Sequence, residues 1–404
     1  MILAGGNDQI ALIQELRNYF AGDVYIIVVD MSSNVKAVSY ADKFLQISTM
    51  DKEAVLKAAI EEKIDYILTA CGDQPLSTMA YVSAKLGLPC YLTENDVLNL
   101  TNKLYMKRIM VENGIPTSSF VSINKDWNYN QIQNLSYPLV VKPVDSNGSK
   151  GVKKVLNKEE LHMCLEDAFR FSLSGDVIVE EFNEGEEVSI DIYVEGDEVK
   201  LLSVISLNKI KQNKDSFTIV QSFYPPDFKC SSEEIIGIAG KIVKAFSLKD
   251  TPLLIQAIQT ESGLKVVEFS ARMGGGSKFR SIETFSGVNI MKVYVDMVMG
   301  GRPSVVPRRL VNNASMCFVY CNPGKFVSLT GFDELLNEGI IKYYYTYKMP
   351  GTMIEKSTTS SDRVAGFMVT GDSADEVKKK ISYANSVLKV LDEEGNDIMK
   401  HDLY

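Results

Sequence analysis

The chain has 404 residues, 45% of them hydrophobic and 24% charged, which at roughly 100 to 200 residues per domain predicts two to four packed soluble units rather than one. A net charge of −9 without long basic runs argues against a nucleic-acid surface, and no stretch approaches the roughly 18 apolar residues of a membrane helix. With only His162 and His401 in the chain, His-ligated zinc and Ser-His or Cys-His nucleophiles are all but excluded, leaving carboxylates, Lys, Arg, backbone amides or a hard cation to carry any chemistry.

The first ninety-odd residues alternate strand and helix signals: strand Met1 to Leu3, a turn Ala4-Gly5-Gly6-Asn7-Asp8, helix Gln9 to Phe20, strand Val24 to Asp30, helix Lys52 to Glu62, strand Tyr66 to Thr69. That rhythm predicts a Rossmann-like parallel sheet over about 1–100. The small-residue turn and Asp30 share part of a dinucleotide fingerprint, but the spacing is not GxGxxG and an ordinary βα turn explains it better. The rhythm breaks at Gly87, Pro89 and Asn95, and a new helix begins near Asn102 with Lys103 in its first turn. A smaller α+β stretch follows over about 117–180, with strand Pro138 to Val144, helix Lys158 to Phe171 and strand Val177 to Glu180. Two hairpins, Val188 to Leu207 across Gly196-Asp197 and Leu253 to Arg272, flank a helix Ser232 to Phe246. After Gly300-Gly301-Arg302-Pro303 the composition shifts, and residues 301–404 predict a further α/β unit with strands Ala314 to Tyr320 and Ala365 to Thr370 and a helix Ala374 to Leu388.

Cys71, Cys90, Cys164, Cys230, Cys317 and Cys321 form no CxxC pair and read as reduced thiols. The N-terminus lacks the basic start and apolar core of a secretion signal, so a cytoplasmic location is expected.

Three segments carry polar groups in chemically suggestive patterns. The strand Leu139-Val140-Val141-Lys142-Pro143 delivers a Lys into Asp145-Ser146-Asn147-Gly148-Ser149-Lys150-Gly151, and small-residue loop amides with an ammonium suit a polyphosphate; a surface turn has the same composition. Val177 to Phe182 runs as a strand into a connector whose backbone edge suits adenine, with Glu187 beyond it for a ribose; a solvated acidic turn is the alternative. In the second hairpin, a three-residue loop ending in Gly263 predicts Thr260 opposite Leu264 and hence Gln256 opposite Glu268. Ser270 and Arg272 then share that face. Gln256 and Glu268 offer oxygens suited to Mg²⁺ and Arg272 a fork for an anion, with an internal Glu268–Arg272 ion pair as the alternative.

Taken in order, Lys103, Lys142 with its glycine-containing loop, Glu180-Glu181-Phe182 with Glu187, and Gln256 with Glu268-Phe269-Ser270-Ala271-Arg272-Met273-Gly274-Gly275-Gly276 resemble the ATP-grasp superfamily. The likeness is greatest to its carbamoyl-phosphate-synthase-like and L-amino-acid-ligase branch of carboxylate-amine ligases. The resemblance implies an α/β and α+β chain: a Rossmann-like pre-ATP-grasp domain over 1–100, an ATP-grasp domain over 101–300 with its lid at about 117–180, and a small α/β domain over 301–404. It implies that Lys103 and Lys142 meet the ATP phosphates and that Ser149 and Gly151 belong to the closing loop. Glu180, Glu181, Phe182 and Asn183 then lie at the adenine, the backbone of Glu181 and Asn183 pairing the base, and Glu187 takes the ribose. Gln256, Glu268 and Ser270 fall at the Mg²⁺ positions, with Mn²⁺ as an alternative ion, and Arg272 with Lys142 falls at the catalytic positions. Ser270 stands where the family usually has Asn.

The implied reaction is ATP-dependent activation of a carboxylate as an acyl phosphate and its capture by an amine, with ADP released. Small-molecule carboxylate and amine partners follow, with no nucleic acid and no membrane, and the resemblance admits a homodimer. The alternatives are a bicarbonate-using enzyme like carbamoyl-phosphate synthase and a non-catalytic ATP-binding protein. Lys209, Lys211 and Arg280 are further cations on the substrate side without motif support, where ordinary surface charge is the better expectation.

Overall fold

The computed structural model describes residues 1–145, 151–210, 218–227, 231–355 and 359–404. Near the N-terminus, β1 (Ile2–Leu3), β2 (Ile27–Asp30) and β3 (Lys43–Gln46) form a parallel sheet in that order, with a parallel bridge from Ile2 to Leu68 on its other side. The predicted strand Tyr66 to Thr69 is thus a single bridge. Around this sheet lie α1 (Asn7–Tyr19), α2 (Lys52–Glu61), α3 (Asp73–Leu86) and α4 (Glu94–Thr101). The last two occupy sequence given no helix above.

The helix expected near Asn102 is α5 (Lys103–Glu112), and Asn102 explains its start: its Oδ1 accepts from the backbone N–H groups of Leu104 (3.0 Å) and Tyr105 (3.1 Å). The Lys103 N–H in turn donates to Val144 O at 3.1 Å, tying the helix start to the chain just past a strand. That strand belongs to a four-stranded sheet built from β4 (Phe120–Ile123), β5 (Leu139–Pro143), β6 (Lys153–Val155) and β7 (Val177–Glu181), in the order β4-β7-β5-β6. Helix α6 (Lys158–Phe171) packs on it through Leu161, Cys164, Leu165 and Ala168, one buried stripe at helical spacing, and Asn157 caps its first turn.

A larger sheet is assembled from β8 (Glu186–Glu195), β9 (Glu198–Lys209), β10 (Ile219–Tyr224), β11 (Thr251–Thr260), β12 (Gly263–Ser270) and β13 (Asn313–Val319). Beyond β13 come short β14 (Gly324–Lys325), β15 (Ser328–Thr330), β16 (Tyr343–Thr346), β17 (Met353–Ile354), then β18 (Ala365–Gly371) and β19 (Lys389–Leu391). The eight-stranded order β12-β11-β8-β9-β10-β13-β18-β16 means that strands from either side of residue 300 share one continuous sheet. Helices α7 (Ser232–Ala245), α8 (Lys278–Ser286), α9 (Ile290–Val298), α10 (Phe332–Asn337) and α11 (Ala374–Val387) complete the chain. Among the described residues, no helix is long and apolar enough to cross a membrane.

The β11–β12 hairpin departs from expectation in an instructive way. Its turn holds two residues, Glu261 and Ser262, so Thr260 pairs with Gly263 rather than Leu264. Thr260 favours the tight turn, its hydroxyl accepting from Ser262 N–H (3.2 Å) and donating to Gly263 O (2.8 Å). A bulge between Ala257↔Val266 and Gln256↔Glu268 then shifts the register by one, so the predicted Gln256–Glu268 pair forms by a different route.

Candidate functional site

On the β11–β12 hairpin, Gln256 and Glu268 face one another across the strands, and Leu254 is the partner of Ser270. These side chains line a small pocket together with Lys103, Arg272 and Asp73, its apolar walls coming from Leu100, Met106, Leu254 and Phe269. The structure therefore brings Lys103, Gln256, Glu268, Ser270 and Arg272 together from three separate stretches of sequence.

Asp73, the first residue of α3, is the partner that sequence reasoning missed. It accepts from Ser270 Oγ at 2.7 Å and takes the Arg272 fork at 2.6 Å (Nε) and 2.5 Å (Nη2). The internal Glu268–Arg272 pair considered above is thus replaced by an Arg272–Asp73 pair. Burial alone pushes the Asp73 carboxyl up, but Arg272, with Ser270, more than offsets it and leaves it below its ordinary value. Burial likewise opposes the Arg272 charge, and Asp73 reverses that, leaving the guanidinium firmly protonated.

A second charged group centres on β7. Glu180 of β7 is buried between two ammonium groups: Lys107 Nζ stands 2.5 Å from Oε2 and Lys142 Nζ 2.6 Å from Oε1. Lys107, one helical turn after Lys103 on α5, is only 1% exposed and also donates to Thr117 Oγ1 at 2.7 Å. Its position on the buried stripe with Leu104, Met106 and Met110 was the signal that could have found it. Burial would raise the Glu180 carboxyl, but Lys142 and Lys107 together hold it at about 2. Burial dominates at Lys107 and lowers it to about 8 despite Glu180. Lys103 is also lowered by burial, with Glu268 raising it and Lys142 lowering it further. One carboxylate between two buried ammoniums, next to Lys103, gives the site a local positive excess suited to a polyphosphate.

The other expected residues lie around the β7–β8 connection. The Glu181 N–H donates to Ser119 O (3.0 Å) and its side chain accepts from Ser136 N–H (2.9 Å), while the Phe182 N–H donates to Pro138 O (2.9 Å). Lys154 Nζ sits 3.6 Å from the Phe182 ring centroid, and Asn183 Nδ2 donates to Ser118 Oγ at 2.6 Å. Glu187 is ion-paired with Lys209. Between Asn183 and Glu187 the chain passes so close to β11 that a Cβ on Gly185, at φ +155°, would lie 2.0 Å from Gln259 O. Gly151, at φ +72°, packs against Pro143 and Phe171, whereas Ser149 and Lys211 lie outside the described residues. Arg280 lies over the rings of Tyr343 and Tyr345, away from the cavity lining.

Residues 101–219 match the family model described as phosphoribosylglycinamide synthetase, ATP-grasp (A) domain. The D-alanine–D-alanine ligase of Lacticaseibacillus casei is 41% identical over 91 residues, which is 22% of this chain and 25% of that protein, so the chain matches about a quarter of that relative's length. The phosphoribosylamine–glycine ligase of Methanosphaera stadtmanae is 23% identical over 333 residues, 75% of this chain and 74% of the relative. Among solved structures, the L-amino acid ligase from Bacillus licheniformis superposes with a TM-score of 0.77 at 20% identity, covering 97% of this chain and 98% of its own, a likeness of fold.

Proposed function

We propose, from the ATP-grasp domain matched over residues 101–219, that the chain is an ADP-forming ligase that activates a carboxylic acid as its acyl phosphate and joins it to an amine. The observation that carries this reading is the cavity in which Gln256 and Glu268, delivered from opposed strands, face Lys103 and the Arg272 guanidinium.

In this reading Lys103 and Lys142 bind the triphosphate, and Glu180 holds the Lys142 ammonium in place while Lys107 keeps Glu180 ionised. The edge formed by Glu181, Phe182 and Asn183 takes the base and Glu187 the ribose, exchanging Lys209 for the sugar hydroxyls. The oxygen pair of Gln256 and Glu268, the only ligands required of the protein when phosphates and water complete the shell, fits Mg²⁺, which when bound neutralises charge on the phosphates. Ser270, its hydroxyl committed to Asp73, acts in orienting Arg272 through that shared carboxylate. Arg272 then stabilises the negative charge on the transferring phosphoryl group and on the acyl phosphate. The apolar walls of the cavity and the sheet carrying Lys142 exclude water from an anhydride that hydrolyses readily.

The test is release of ADP and phosphate from ATP by the full chain, screened across carboxylic acids, amino acids first, with a panel of amines. Turnover that requires both an acid and an amine supports the reading; no acid-dependent release above background under any pairing refutes it.

A further inference from the structure

One stretch of the large sheet lacks a neighbour. Strand β9 pairs with β8 from Glu198 to Ser206, but β10 meets it only between Ser206 and Lys209, the partner of Ser206 being Phe223. The chain then leaves the sheet through Pro225 and Pro226, which have no N–H to donate to a ladder. Residues 201–204 of β9 therefore present their outer backbone edge to no strand among the described residues. The segment that follows Gly301 passes this edge without pairing to it. Val305 N–H donates to Glu195 Oε2 (3.0 Å), Arg308 N–H to Ser286 O (2.8 Å) and Leu310 N–H to Phe285 O (3.0 Å). The segment is thus fastened to β8 and α8, and a cavity of about 380 Å³ is lined by it and by β9.

The floor of this slot is the 201–204 edge, about 10 Å long at roughly 3.3 Å per residue, which is room for about three residues of added strand. Its walls are apolar: Ile235 of α7, Pro225, Pro226 and Pro307, and the Tyr224 ring stacked on Phe285 with centroids 4.4 Å apart and planes 3° from parallel. Its charge comes from Arg308 and Arg309, and no lining residue among those described is acidic, although the chain as a whole carries −9. Arg309 is partly committed, with Nε donating to Val311 O (3.2 Å) and Nη2 to Asn312 O (3.0 Å). The Arg308 guanidinium is exposed and has no partner among the described residues. An open sheet edge pairs with an amide backbone, apolar walls take its side chains, and a free guanidinium fork takes a carboxylate. The slot shares no lining residue with the pocket around Gln256 and Glu268, so both can be filled together.

We propose that this slot is a second binding site, and that its ligand is a short apolar peptide with a free C-terminal carboxylate, added to β9 as an extended strand with the carboxylate on Arg308. Backbone pairing along 201–204 holds any such peptide, and the apolar walls select its side chains. The β8–β9 turn at Gly196-Asp197 and the departure of β10 at Pro225 bound the edge at its two ends, which limits the length of the ligand. The site stands apart from the ligase reading, since no residue placed at ATP or Mg²⁺ enters it, and an empty slot would leave that reading intact.

The probes are N-acetylated tripeptides built from Ala, Val, Leu and Phe, each as the free acid and as the C-terminal amide; they are acetylated because no carboxylate lines the slot to meet an ammonium. Each is titrated into the full chain by calorimetry, with and without ATP and Mg²⁺. At least one free acid binds one to one, its amide binds at least about tenfold more weakly, and ATP does not displace it. Arg308→Ala weakens the acid by about tenfold and leaves the amide unchanged, a split that a general loss of structure would not give. Ser232→Phe, at an exposed lining position on α7, fills the slot and weakens acid and amide alike at an unchanged thermal midpoint. Should Ser232→Phe unfold, the Arg308→Ala split decides alone. No free acid bound at millimolar concentration, equal affinity for acid and amide, displacement by ATP, or unchanged acid affinity in either folded variant overturns the proposal.

Discussion

Replacing Glu180 with Ala leaves the Lys107 and Lys142 ammoniums buried with no anion between them. They stand 2.5 and 2.6 Å from opposite oxygens of one carboxylate, and Lys107 and Lys142 are 1% and 5% exposed. Their separation is therefore on the order of 6 Å, and their repulsion about 3 kcal/mol at an effective dielectric of about 20. Adding the loss of both attractions and subtracting relaxation gives an expected destabilisation of about 3–5 kcal/mol, the usual range for removing one partner of a buried pair. The variant has an escape, which is to deprotonate Lys107, already lowered to about 8 in the wild-type chain. The deficit should accordingly shrink at pH 9, where the wild-type Lys107 is also largely neutral. Urea unfolding at pH 7 and pH 9, followed by fluorescence, measures both values, and a Glu180→Ala/Lys107→Met double variant should recover much of the loss at pH 7. A deficit below about 1 kcal/mol at pH 7, or a double variant no more stable than Glu180→Ala, would refute the reasoning.

Glu268→Ala should lower kcat by roughly 100-fold or more while changing ATP affinity far less, as read by ADP release and calorimetry; unchanged turnover removes Glu268 from the site. Gly185→Ala should cost about 2–3 kcal/mol, because the backbone sits at φ +155° and the new Cβ meets Gln259 O at 2.0 Å, and a lowered thermal midpoint checks it. The stability profile with pH should carry two opposite signatures. Glu180, held at about 2 against an ordinary 4.5, contributes fully above pH 4.5 and loses that contribution as the pH falls toward 2. Asp8, raised to about 6 from 3.8, contributes most below 3.8 and loses it as the pH rises through 6, so Asp8→Asn should gain in thermal midpoint relative to wild type between pH 4 and 7. A pH-independent difference between the two chains would contradict the raised Asp8 carboxyl.

What was legible in the sequence follows the range of the forces involved. Helix α6 falls at the predicted Lys158 to Phe171, because its cap at Asn157 and its apolar stripe are local signals. The Gln256–Glu268 pairing was also legible, although through an assumed three-residue loop; the tight turn and the bulge shift the register by equal and opposite steps, and no periodicity rule reports a bulge in advance. Helix α3 was not foreseen, and with it Asp73, whose partner Arg272 lies 199 residues further on. Nothing near Asp73 in the chain marks it as a ligand for an arginine. Lys107 was missed for a different reason: a Lys on a buried stripe is ordinarily a surface residue at the stripe's margin, and only Glu180 and Thr117, brought in by tertiary packing, account for its burial. The turn containing Asp8 was noticed but taken as a connector, since the Ser277 N–H that donates to Asp8 comes from far along the chain.

The eight-stranded sheet has a consequence for how the protein could be shortened or recombined. Strand β13 is stitched to β10 along Gln221 to Tyr224, and β18 and β16 continue outward from it. A chain ended near residue 300 would strip β10 of its neighbour and leave buried positions such as Val220, Gln221 and Ser222 on a raw backbone margin, open to pairing with a second molecule. The last hundred residues therefore act less as an appended module than as the selvedge of one woven piece, and shuffling between relatives at that boundary would have to carry a compatible strand across the cut.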